Sequence, residues 1–140
     1  MKRLLVISLV LILVLVGCKD NEGVEISDVW ARPGIEGGNS GVFFLVKNHT
    51  DEEIKIVSAD SDISNYVEVH KSYKVDDVMK MEKQDFVVVG AGAELAFKPG
   101  SYHIMVIDLL NDLNVGYEFE VTIQFENQPE QTIQVTVTEP

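Results

Sequence analysis

The chain has 140 residues, 46% of them hydrophobic, with 23 acidic side chains against 11 basic ones and a formal charge of −12. That length accommodates one domain with a substantial core and leaves little room for a second. A single cysteine excludes an intramolecular disulfide framework, a zinc ribbon and a multi-cysteine iron–sulfur cluster, and the acidity argues against nucleic acid, whose phosphates call for Lys and Arg.

Lys2 and Arg3 precede Leu4 to Val16, an apolar run interrupted only by Ser8. The run is shorter than the roughly 20 residues a membrane-spanning helix needs, but it has the form of a secretory signal's apolar region. It closes on Leu15-Val16-Gly17-Cys18, which resembles a lipobox, where the cysteine is lipidated and becomes the new N-terminus. Residues 1–17 are therefore expected to be a lipoprotein signal peptide, Cys18 the lipidation site, residues 18–23 a short lipid-anchored tether and residues 24–140 the folded domain. Losing Lys2 and Arg3 leaves 9 basic and 23 acidic side chains, a charge of −14. Such a domain would sit outside the cytoplasm, on the periplasmic side or outer face of the cell membrane. The lipid, rather than the protein surface, would hold it there.

From Val24 onward the sequence alternates with period 2. Strands are predicted over Val24–Trp30, Gly41–Lys47, Glu53–Ser58, Tyr66–Ser72, Val78–Lys83, Phe86–Val89, Glu94–Phe97 and Tyr102–Leu109. The clearest run follows: Tyr117, Phe119, Val121, Ile123 and Phe125 lie on one face, with polar residues between them. Ile133, Val135 and Val137 repeat it after the turn Asn127-Gln128-Pro129-Glu130, giving a C-terminal hairpin. Turn signals such as Pro33-Gly34, Gly37-Gly38, Gly90 to Gly92 and Pro99-Gly100 separate the runs. Leu109 to Val115 reads as a loop, since Asn111, Asp112 and Asn114 interrupt any helical stripe. About ten short strands at this spacing predict a single-domain, all-β fold, an antiparallel Greek-key β-sandwich.

Catalytic signatures are lacking: no Gly-x-Ser-x-Gly elbow, no phosphate loop and no His-Glu-x-x-His helix occur. An enzyme is not expected. Metal-binding residues do recur at strand spacing. His103 and Met105, two apart, project from one face of their strand, and Met79 and Met81 repeat the arrangement. His70 ends the preceding strand, and a hairpin turning at Val75-Asp76-Asp77 brings Met81 back towards it. Two imidazoles and two thioethers form a neutral, soft donor set that suits Cu(I) better than zinc or calcium. A methionine on a strand can equally fill a gap in the core, and a histidine can be a hydrogen-bonded surface residue. On spacing alone these readings stand side by side.

The full pattern His70-x10-Met81-x21-His103-x-Met105 resembles the signature of the periplasmic copper chaperone family PCuAC, associated with assembly of the CuA centre of cytochrome c oxidase. Val29-Trp30-Ala31-Arg32-Pro33 resembles the family's opening strand, and Phe43 to Asn48 its next strand with an asparagine turn. Val67-Glu68-Val69-His70 is similar to the strand carrying the first histidine, and Pro99-Gly100-Ser101-Tyr102-His103-Ile104-Met105 to the segment carrying the second ligand pair. Gly116 through Phe125 resembles the closing strand. The resemblance implies a cupredoxin-like sandwich that binds Cu(I) through His70, Met81, His103 and Met105. Met79 falls outside the signature and is an accessory candidate. Some family members carry a His- and Met-rich C-terminal extension; none precedes Pro140, so a second copper site is not expected.

The resemblance implies a chaperone handing Cu(I) to an acceptor such as an oxidase subunit, with a thiol-disulfide copper-assembly protein as a further partner. Blue-copper and CuA centres need thiolate ligands, and the domain after Cys18 has none, so carriage is expected rather than electron transfer. Two other functions fit the same sequence: a copper-sequestering lipoprotein for tolerance or acquisition, and a metal-free structural or adhesive sandwich.

Overall fold

The computed structural model describes residues 23–139. The signal peptide expected at 1–17, the lipidation site Cys18 and all of the tether but Gly23 lie outside the described residues. Ten strands follow: β1 (Val24–Ala31), β2 (Asn39–Asn48), β3 (Ile54–Asp60), β4 (Ser64–Val75), β5 (Val78–Lys83), β6 (Val87–Val89), β7 (Glu94–Phe97), β8 (Tyr102–Leu109), β9 (Glu118–Phe125) and β10 (Gln131–Val137). Each predicted strand is present: β5, β7 and β8 have the expected bounds, β6 and β9 start one residue later, and β4 is the most extended. Residues 110–115 form a loop, as expected, pinned to the body by the pairing of Gly34 with Leu113.

The strands run in the order β5-β4-β8-β2-β1-β10-β9-β3-β6, with β7 also on β2. β1 is the seam. Its first half pairs with β2 from Val24↔Asn48 to Ser27↔Leu45; then the register shifts, with Asp28 at φ 54°. Past this bulge Trp30 and Ala31 pair with Phe43 and Val42 of β2 on one side, and with Thr136 and Val137 of β10 on the other. A bulge bends and twists its strand, which lets β1 serve both halves. The β1–β10 pairing is parallel, a departure from the all-antiparallel sandwich expected from the sequence. Alternation alone cannot show strand direction, because side-chain period is the same in both.

Val42, Phe44 and Val46 of β2, Val69 of β4, and Ile104 and Val106 of β8 meet Ile54, Ile56, Val87, Val121, Ile123, Val135 and Val137 in one continuous core. The period-2 faces are the cause, since alternate residues of the core-forming strands are apolar and turned inward. In β9, Phe119, Val121, Ile123 and Phe125 are buried as expected, whereas Tyr117, just ahead of the strand, is exposed. Because Val69, Ile104 and Val106 point into the core, their neighbours His70, His103 and Met105 belong to the outer face of the β5-β4-β8-β2 half.

Candidate metal centre

The register decides who meets whom. His70 of β4 lies directly opposite His103 of β8, and Glu68 lies opposite Met105. Met105 is in turn paired with Gly41 of β2. Across the β4–β5 hairpin, Ser72 faces Met81, His70 faces Lys83 and Lys74 faces Met79. Cross-strand partners share a face, so both imidazoles and all three thioethers stand on one side of the sheet.

The hairpin forms because Asp76 and Asp77 both take positive φ, 48° and 63°. That is the backbone of a two-residue type I′ turn, whose twist matches that of its strands. Met81 does not face His70 itself; it sits one diagonal step along, opposite Ser72. β5 is an edge strand, and Met81 and Met79 are 51% and 57% exposed.

His103 is the opposite case, at 3% exposure. Pro99-Gly100 makes a tight turn closed by the amide of Ser101 donating to the carbonyl of Lys98 at 3.0 Å, with Gly100 at φ 78°. Proline at the second position and a positive-φ glycine at the third define a type II turn. The turn aims the carbonyl of Ser101 at the site, where it accepts from the amide of Ser72 at 2.9 Å and from His103 Nδ1 at 3.1 Å. A carbonyl only accepts, so Nδ1 carries the proton and Nε2 carries a lone pair. Nε2 is buried and has no partner. Burial pushes the imidazole pKa below its ordinary value, more than the Ser101 carbonyl raises it, and His70 and Arg32 add to the lowering.

His70 is arranged the other way round. Its Nε2 lies 2.8 Å from Glu68 Oε2, while Nδ1 is buried without a partner. Lys83 Nζ donates to the other oxygen of Glu68 at 2.8 Å. Lys83 and His70, in that order, hold the Glu68 carboxyl below the usual carboxylate range. The two rings lie 5.9 Å apart, centroid to centroid, tilted at 59°. Buried polar atoms are almost always satisfied, so two orphaned imidazole nitrogens in neighbouring rings call for a ligand.

A cavity of about 190 Å³ opens beside His103, lined among others by Phe43, Ser72, Met81, Gly100, His103 and Met105. Phe43 forms one wall, its ring tilted 34° against Trp30 with centroids 4.6 Å apart, and its centroid 6.1 Å from that of His103. Arg32 covers its ring at 5.3 Å. The four signature residues are thus all at this place, three around the cavity and His70 behind His103. Met79 is on the same face but not at the cavity. Among the described residues no group of three or more His, Cys, Asp or Glu side chains converges to hold a metal. A centre here must draw on sulfur, which favours a soft ion.

Sequence reasoning missed Glu68, Lys83, Phe43, Gly41 and the Ser101 carbonyl as parts of the site. Glu68 had a signal, since period 2 puts it on the face of His70. Lys83 comes in across the local β4–β5 hairpin and the Ser101 carbonyl from the turn just before His103, whereas Phe43 and Gly41 depend on the pairing of β2 with β8.

The architecture defines the class of fold: an all-β, cupredoxin-like sandwich of the kind seen in PCuAC domains. It superposes on the copper-bound PCuAC domain from PmoF2 with a TM-score of 0.68 at 23% identity, covering 84% of this chain and 93% of that one. The apo PCuAC domain from PmoF1 gives 0.69 at 20% identity, covering 84% and 94%. The Cu(I) form of DR1885 from Deinococcus radiodurans gives 0.59 at 17% identity, covering 85% and 82%. The chain belongs to the LpqE-like family, whose model, described as "Putative lipoprotein LpqE-like", matches residues 24–137. It is 34% identical over 113 residues to "Uncharacterized protein RP573" of Rickettsia prowazekii (strain Madrid E), covering 77% of this chain and spanning 62% of that relative's length. It is 27% identical over 121 residues to "Putative lipoprotein Lxx21020" of Leifsonia xyli subsp. xyli (strain CTCB07), covering 85% of this chain and 72% of that protein.

Proposed function

We propose that this protein is an extracytoplasmic Cu(I) carrier that delivers copper to an acceptor protein, a CuA-type respiratory oxidase subunit being the acceptor that its family resemblance favours. The cargo would be held by His70 Nδ1, His103 Nε2 and the thioethers of Met81 and Met105. The observation that carries this reading is the pair of buried, unpartnered imidazole nitrogens beside a cavity rimmed by two thioethers. Neutral donors leave a bound Cu(I) with a single positive charge, and thioethers are individually weak ligands that can be exchanged one at a time. Exposed Met81 would be the first to let go and buried His103 the last. Met79, two residues further out on the same face, would serve as an accessory thioether during exchange and not in the resting set. Cys18 would carry the lipid after removal of residues 1–17, with residues 18–23 as the tether. The lipoprotein descriptions of the family and of the Leifsonia relative support that placement.

Titration of the protein with Cu(I) against a chromophoric chelator tests the assignment. One tight equivalent is expected. His103→Ala and Met81→Ala should each lower the affinity by more than the roughly 10–100-fold that an outer-shell partner is worth. Binding that neither substitution affects would overturn the site. Met79→Leu should leave the equilibrium affinity unchanged and slow the transfer.

A further inference from the structure

His70 could present either ring nitrogen to a ligand, and the choice is made outside the donor set. In a neutral imidazole one nitrogen carries the proton and the other the lone pair. An ionised carboxylate has no proton to give, so Glu68 at 2.8 Å forces the proton onto His70 Nε2 and leaves Nδ1 open. Lys83 secures the arrangement. It stands directly across β5 from His70 and donates to the second Glu68 oxygen at 2.8 Å. The chain Lys83–Glu68–His70 therefore runs from the exposed edge strand to the orphaned Nδ1. We propose that the Glu68–Lys83 ion pair is a tautomer lock, positioning His70 so that Nδ1, and not Nε2, is the donor offered to the metal. This rests on the Cu(I) reading above for its purpose, but not for its measurement. A half-exposed ion pair adds little to stability, so a merely structural role would make its loss nearly silent.

The lock makes an ordering that size alone would not. In Glu68→Gln the ammonium of Lys83 draws the amide oxygen to itself, and the NH₂ group is turned towards His70 Nε2. That nitrogen must then accept, and the proton moves to Nδ1, closing the donor. Glu68→Ala removes the constraint without reversing it. The near-isosteric substitution should thus do more harm than the truncation.

Two-bond ¹⁵N–¹H correlation spectra of the metal-free protein at pH 8 read the tautomer directly. His70 is expected as Nε2–H in the unsubstituted protein and as Nδ1–H in Glu68→Gln. Adding Lys83→Met to Glu68→Gln frees the amide to flip and should restore Nε2–H. Cu(I) affinity by chelator competition should fall 10–100-fold in Glu68→Gln, the range for outer-shell partners, fall less in Glu68→Ala and recover in the double variant. A His70 that stays Nε2–H in Glu68→Gln overturns the lock, as does an alanine variant that binds more weakly than the glutamine one. Absence of Cu(I) binding by the unsubstituted protein overturns the carrier reading instead. The lock is then decided by the spectra of the metal-free protein.

Discussion

His103 and Gly41 illustrate how single residues set the chemistry. His103 is deep enough to be kept neutral and is turned by one carbonyl so that its lone pair faces the cavity. Proton competition for that nitrogen begins below the ordinary imidazole value of 6.5, so metal held there should survive mild acidification better than at an exposed histidine. Gly41, opposite Met105, matters for what it lacks. A Cβ there would lie 2.8 Å from Phe43 Cζ, and Phe43 is the wall against His103. Gly41→Ala should therefore push the ring towards the site. The expected result is a destabilisation of about 1–3 kcal/mol, typical of overpacking, together with weakened Cu(I) binding. Denaturant unfolding and chelator competition would check the two effects separately.

At the scale of elements, the β4–β5 hairpin supplies the movable half of the site and β8 the fixed half. β5 is exposed throughout and hydrogen-bonded on one edge only, whereas β8 is held between β4 and β2. This division places half-exposed Met81 at the surface and buried His103 inside. The fixed half is braced at its far end by Asn48, which closes β2. Its amide donates to the carbonyls of Glu52, Val89 and Gly90 at 2.7, 3.1 and 3.0 Å, and its oxygen accepts from the amide and hydroxyl of Thr50. Asn48 is 2% exposed. Asn48→Ala would strand the buried carbonyl of Val89 and take the donor from those of Glu52 and Gly90. A loss of about 2–4 kcal/mol is expected, read as a lowered urea midpoint with unchanged slope. The copper affinity of the remaining folded protein should stay the same, because Asn48 lies at the other end of β2 from Gly41.

For the whole molecule, the core forms between the two layers while the proposed ligands stand outside it, so folding is expected not to depend on metal. The metal-free protein should unfold in one cooperative transition, unlike a zinc finger, and Cu(I) should only raise the midpoint. The pH dependence follows from His103. Its pKa is lowered in the folded state, so the unfolded chain takes up the proton first as pH falls. The stability at stake is fully present above about 6.5 and is lost as pH drops through the folded value. Glu68, also lowered, adds a loss of the same sign below its ordinary 4.5. Thermal midpoints measured from pH 7.5 to 5 should fall for the native protein, and fall less for His103→Gln. A midpoint that rises on acidification would contradict this burial effect.

The amino-acid sequence by itself determined the ten strands and the inward faces, because period-2 alternation is local and is written residue by residue. It also grouped the candidate ligands in pairs, since His103 with Met105 and Met79 with Met81 each share a face once their segments are strands. Register between distant strands was not legible. That His70 faces His103 and that β1 runs parallel to β10 depend on which strands become neighbours, a matter of packing around the common core. The same holds for the ring nitrogens. Sequence offers two candidate histidines among its three, but only the tertiary structure, by placing a carboxylate at one ring and a carbonyl at the other, decided that Nδ1 of His70 and Nε2 of His103 are the nitrogens left without a partner.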